Sequence, residues 1–155
     1  MSNTAVMAFG EETTAKVATM IASKLNADLI VNEKMLDGAT VVVAGTHARM
    51  GKFNKRYIRF VKKYAAKVRI YTFIVGAEIE KKQKYVDLAE KDSGGKAWYV
   101  WGELNANKAK GLKKFALQAF IDGRRQDGLP TPRLLDKEIA ALCREVMLEN
   151  QITEK

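Results

Sequence analysis

A chain of 155 residues has the length of one domain, spanning positions 1–155, and suffices to bury a hydrophobic core. Hydrophobic residues make up 47% and charged residues 29%, while one cysteine and one histidine exclude an internal disulfide, a cysteine-rich metal site and a histidine cluster. The formal net charge of +9 implies an anionic partner (a nucleotide or cofactor, nucleic acid, an acidic protein or a membrane surface), and no apolar stretch approaches the roughly 20 residues of a membrane-spanning helix.

Residues 4–9 (TAVMAF) form a short apolar run suited to a buried strand. Val17, Met20, Ile21 and Leu25 then recur at helical spacing, with Thr13 or Thr14 placed to cap that helix through its hydroxyl. Residues 28–31 (DLIV) read as a brief second strand and 40–45 (TVVVAG) as a third. The eight residues between them, 32–39, are too few for a comfortable crossover helix.

The clearest helix covers 53–66. Phe53, Tyr57, Phe60, Val61 and Tyr64 make an apolar stripe, while Lys55, Arg59 and Lys62 project from another face. A fourth strand follows at 68–75 (VRIYTFIV), then a helix at 81–91 with Tyr85, Leu88 and Ala89 turned inward and Ser93, Gly94 and Gly95 ending it. The fifth strand is 97–101 (AWYVW). Helices at about 110–121 and 134–149, separated by a turn at 128–132 (GLPTP), close the chain. Cys143 shares a face with Ile139, Leu142 and Val146, a core position. Helices alternating with β-branched and aromatic runs predict a three-layer α/β sandwich: a mostly parallel sheet covered on both faces.

In such a sheet ligands lie beyond the carboxyl ends of the strands, where the strand order reverses. That rule selects residues 10–14, 46–52, 76–79 and 102–108, and Gly45, Gly76 and Gly102 read as strand ends. The first loop offers amides at a helix N-terminus and the hydroxyls of Thr13 and Thr14, which suit a phosphate; Glu11 and Glu12 oppose one. Neither GxGxxG nor GxxxxGK[ST] is present, so a dinucleotide fingerprint and a Walker-type site have no support.

The segment VVVAGTHARMGKFNKRYIRFVKKY at 41–64 runs a buried strand into a polar loop and then a basic amphipathic helix. It resembles the flavodoxin-like family, most closely the menaquinone-dependent protoporphyrinogen oxidase branch. There a glycine, small, polar, arginine, aromatic, glycine loop precedes a helix with a similar FVKKxA ending. Residues 14–18 (TAKVA) stand in the place of that family's threonine-led helix start, and AWYVWGEL at 97–104 looks like its fifth strand and following loop. The resemblance implies a five-stranded parallel sheet in the order 2-1-3-4-5, with FMN at the switch between strands one and three. Gly10, Glu11, Glu12, Thr13 and Thr14 would face the FMN phosphate. Thr46, His47, Ala48, Arg49, Met50 and Gly51 would border the isoalloxazine on one side, and Gly76, Ala77 and Glu78 on the other. It implies an oxidoreductase or electron carrier with a redox partner, and a quinone or porphyrin-like substrate that suits a basic chain. The cofactor then does the chemistry and no side chain need act as nucleophile or base.

For His47 two roles stand open, a hydrogen bond or proton for a flavin edge and a solvated loop residue. Arg49 either favours an anionic reduced flavin or quinone oxygen, or pairs with a surface carboxylate. The shortened phosphate loop with its two glutamates, and the lack of a stacking aromatic after the third strand, motivate an alternative. In that alternative the chain is a flavin-free flavodoxin-fold module whose basic surface binds an acidic protein or an anionic membrane. Lys52, Lys55, Arg59 and Lys62, joined by Lys108, Lys110, Lys113, Lys114, Arg124 and Arg125, would carry it. Nucleic acid ranks third, because no helix-turn-helix, zinc-finger or RNP-like cue is present. The cysteine usage, and an N-terminus unlike a signal peptide, lead us to expect a cytoplasmic location or one peripheral to the membrane's inner face.

Overall fold

The computed structural model describes residues 4–10, 13–36, 38–49, 51–101, 126 and 136–154. The strands are β1 (Thr4–Phe9), β2 (Asp28–Ile30), β3 (Val41–Arg49), β4 (Lys52–Phe53), β5 (Arg69–Gly76) and β6 (Ala97–Trp101). The helices are α1 (Thr13–Leu25), α2 (Lys55–Tyr64), α3 (Lys82–Ser93) and α4 (Asp136–Glu154). The helix expected at 110–121 and the turn at 128–132 lie outside the described residues.

The sheet runs β2-β1-β3-β5-β6, every neighbouring pair parallel, so the five main strands take the expected 2-1-3-4-5 order. Side chains alternate between its faces with period two. Val6, Val43, Tyr71, Phe73 and Val100 pack with Val17 and Ile21 of α1 and Ile139, Leu142 and Val146 of α4. Met7, Phe9, Val42, Ala44, Ile74 and Tyr99 pack on the opposite side with Tyr57 and Phe60 of α2 and Tyr85 and Ala89 of α3. Because both faces are covered, the strands read as continuous apolar runs. Cys143 is buried in the α1–α4 layer, as its helical spacing predicts.

Three expectations are corrected. The sheet has a sixth strand: β3 does not stop at Gly45 but continues to Arg49, pairing with β5 as far as His47 and then turning back as an antiparallel hairpin with β4. Residues read as a loop therefore form a two-stranded arm. Gly45 lies within the strand because the Phe73 ring occupies the space where a Cβ would stand, 1.9 Å from the nearest ring carbon. Phe53, read as the start of the second helix, belongs to β4 instead. Helix α2 begins two residues later, capped by Asn54, whose side-chain oxygen accepts from the Arg56 amide at 2.8 Å.

The short link from β2 to β3 has a structural outcome as well. It contains only a 3-10 turn, Glu33–Leu36, in place of a crossover helix. A cleft of about 780 Å³ lies between this link and α2, above the buried Met7 and Phe9 of β1. No helix among the described residues is long and apolar enough to cross a membrane.

Candidate functional site

The carboxyl edge of the sheet is set by strand register. Phe9 lies beside Thr46, His47 beside Val75, and Gly76 beside Trp101, so the segments after β1, β3 and β5 form adjacent rows. With strands about 4.8 Å apart, the row from β1 to β5 spans roughly 10 Å.

Gly10, directly after β1, is in close contact with two other predicted residues. A Cβ at Gly10 would stand 2.9 Å from Thr14 Oγ1 and 3.2 Å from His47 Nδ1. The absence of a side chain is what lets β1, the first turn of α1 and β3 converge. Thr14 is 2% exposed, and none of the described residues exchanges a hydrogen bond with its hydroxyl. Thr13 opens α1, whose first turn carries no acidic residue. Glu11, Glu12 and Met50, all singled out in the sequence, lie outside the described residues.

The second predicted group divides. The Thr46 hydroxyl is fully buried and faces α2: it accepts from the Asn54 amide at 3.1 Å and donates to the His47 carbonyl at 3.2 Å. It anchors the start of α2 to β3. His47 is half-buried at the cradle, and its pKa is held below the usual 6.5, first by burial and then by the positive charge of Arg49. Ala48 pairs with Phe53 on the arm, and Arg49, exposed, pairs with Lys52. Gly51 makes the hairpin turn with φ of +79°, and its amide donates to Tyr85 Oη at 2.9 Å.

At the end of β5, Gly76 is buried against Tyr99, whose hydroxyl lies 2.1 Å from where a Cβ would be. That hydroxyl accepts from the Glu78 amide at 3.1 Å and donates to the Glu78 carbonyl at 3.0 Å. Burial raises the Tyr99 pKa far above the normal phenol range, so it remains a donor. Ala77 and Glu78 are half-buried, and Glu78 pairs with Lys81 at 3.3 Å. Tyr85 and Tyr99, stacked 6.2 Å apart, thus brace the arm and the β5 loop from behind. Sequence reading turned Tyr85 inward as a packing residue, and the alternating aromatics of AWYVW locate Tyr99 on a face but say nothing of its hydroxyl.

No protein-family description matches the chain, and no curated protein matches it. Among solved structures, a "putative flavoprotein" from Bacteroides eggerthii is similar over 79% of this chain and 98% of its own length, at 13% identity and a TM-score of 0.50. A response regulator from Burkholderia multivorans is similar over 81% and 96%, at 12% identity and a TM-score of 0.37. The parallel order β2-β1-β3-β5-β6, with helices on both faces, is that of the flavodoxin-like α/β fold, to which the chain's architecture belongs.

Proposed function

We propose that the chain is a flavin protein of flavodoxin-like fold that holds FMN at the carboxyl ends of β1, β3 and β5. The observation that carries this reading is the Gly10, Thr14 and His47 cradle. It combines a bare Cα, a buried hydroxyl and an imidazole at the N-terminus of a helix thirteen residues long. The description of the Bacteroides eggerthii neighbour points the same way. Amides of the first turn of α1, with Thr13 and Thr14, would hold the phosphate. Residues 46–51 and 76–78 would flank the ring, the β5 side kept in shape by Tyr99. The bound flavin would supply one- and two-electron transfer; the chain positions it, keeps water from one face and sets the charge around it. The role is that of an oxidoreductase or electron carrier. A porphyrin-like or quinone substrate, as in the protoporphyrinogen oxidase branch, rests on the sequence motifs at 14–18, 41–64 and 97–104 alone, and neither structural neighbour supports that branch.

The purified chain should quench FMN fluorescence at micromolar cofactor. Thr14→Val should weaken FMN binding about tenfold, the loss of one hydrogen bond to a charged group. A protein that neither takes up colour nor quenches FMN at micromolar concentrations ends the proposal.

A second reading is favoured by α2 itself. Lys55, Arg56, Arg59, Lys62 and Lys63 are all exposed, and among the described residues only Lys63 has a carboxylate partner. Such a face suits an acidic protein or anionic lipid headgroups. Its binding would weaken as salt rises, over a screening length of about 10 Å at 0.1 M, and would fall when Lys55, Arg59 and Lys62 become glutamine.

A further inference from the structure

The cleft between the β2–β3 link and α2 lies on the far side of β1 from the β3 arm, and none of the candidate flavin residues lines it. Its floor is closed by Met7 and Phe9, both buried in the core. One wall is residues 31–34; the other is the stripe Arg56, Arg59 and Lys63, which recur at i, i+3 and i+7 along one face of α2. Four cations and one carboxylate face the same space, since Lys34 and Glu33 come from the link.

The charges are unevenly matched. Glu33 is engaged by Lys63 at 3.0 Å and by the Tyr64 hydroxyl at 3.3 Å, which closes one end. Lys34, Arg56 and Arg59 have no carboxylate partner among the described residues. The Arg56 guanidinium lies 5.7 Å from the Phe9 ring centroid, held over the floor by cation–π attraction. At the lip Val31 is 74% exposed, an apolar side chain kept in water beside a basic wall. A volume of about 780 Å³ falls within the range of small-molecule sites, roughly 300–1,000 Å³.

We propose that this cleft is a second binding site, for a small organic anion that joins an apolar ring to a phosphate or carboxylate. Arg56 and Arg59 present guanidinium forks to the acidic group, as such forks suit both oxyanions. Val31, which is largely exposed, and the half-buried Tyr64 ring cover the apolar body, which removes chiefly the Val31 surface from water. Neither half of the ligand suffices: inorganic phosphate leaves Val31 in water, and a neutral ring leaves the guanidinium groups unmatched.

The probes are 1-naphthyl phosphate, its neutral counterpart 1-naphthol, 1-naphthoate and inorganic phosphate, titrated by calorimetry into the full chain. The expected result is at least tenfold tighter binding of 1-naphthyl phosphate or 1-naphthoate than of 1-naphthol or inorganic phosphate; whichever of the two binds tighter identifies the acidic group. Arg56→Gln with Arg59→Gln should erase that advantage. Both side chains are exposed, so the fold should survive, as an unchanged thermal transition would verify. Thr14→Val should leave the affinity within twofold, separating this site from the flavin cradle. The proposal is overturned if neither anion outcompetes both fragments, if the double variant binds as well as the parent, or if Thr14→Val removes binding.

Discussion

His47 sits where β3 leaves the sheet and enters the hairpin arm, close enough to Gly10 that one methyl group would touch its Nδ1. Burial and Arg49 hold its folded pKa below 6.5, so the unfolded chain takes up the proton more readily. Stability is therefore undiminished above pH 6.5. It falls as the pH drops from there to the folded-state pKa, below which no more is lost. His47→Gln should flatten that portion of the stability–pH curve, measured by urea unfolding between pH 7 and 5. As the chain's one histidine, its ring protons give an unambiguous NMR titration with a midpoint below 6.5. A phosphate dianion seated beside it favours the imidazolium, so saturating FMN should move the midpoint upward. An unmoved midpoint would place the cofactor elsewhere.

At the scale of the element, β3 governs the site. It crosses the sheet centre, carries Gly45 beneath the Phe73 ring, and projects the arm that Tyr85 fastens through Gly51. Phe73 is fully buried and has nowhere to retreat. Gly45→Ala should cost about 3 kcal/mol by overpacking, and adding Phe73→Leu should recover a good part of it, both read from urea midpoints. The parallel strands were legible in the sequence because each is an apolar run bounded by polar or glycine residues, and β6 coincides with its predicted limits. The arm was not. Thr46, His47 and Arg49 carry polar side chains that signal a loop, and only pairing with distant β5 and with β4 makes residues 46–49 a strand. For the same reason Gly45 looked like an ending: a glycine marks equally a turn and a place where a ring from the neighbouring strand needs room. Gly10 and Thr14 were read together after the first strand and His47 on a separate loop; that the three meet follows from β3 lying beside β1. The inward turn of the Thr46 hydroxyl and the bracing by Tyr85 and Tyr99 depend on contacts across 8 to 34 positions of sequence, which local pattern does not encode.

For the molecule as a whole, charge links the last helix to the sheet. Lys96, just before β6, bonds Glu149 of α4 at 2.6 Å and also reaches Glu145, while the Tyr71 hydroxyl donates to Glu149 at 2.8 Å. Lys96 foremost, then Tyr71, lower the Glu149 pKa from 4.5 to about 2. The stability that this cluster supplies is present above pH 4.5 and is lost as the pH falls toward 2. Glu149→Gln should lower stability at pH 7 by about 1 kcal/mol, as expected for a half-exposed group, and the two proteins should converge in acid. Thermal unfolding at pH 7 and pH 3 measures both. The same helix closes one of the two cores, since Ile139, Leu142 and Val146 lie over Val6, Val43 and Phe73. During synthesis, about fifty residues emerge between the end of β6 and the end of α4, an interval of roughly 3–10 s. The core beneath α4 therefore closes only through contacts of long sequence separation, since Ile139, Leu142 and Val146 must return to Val6 and Val43 early in the chain.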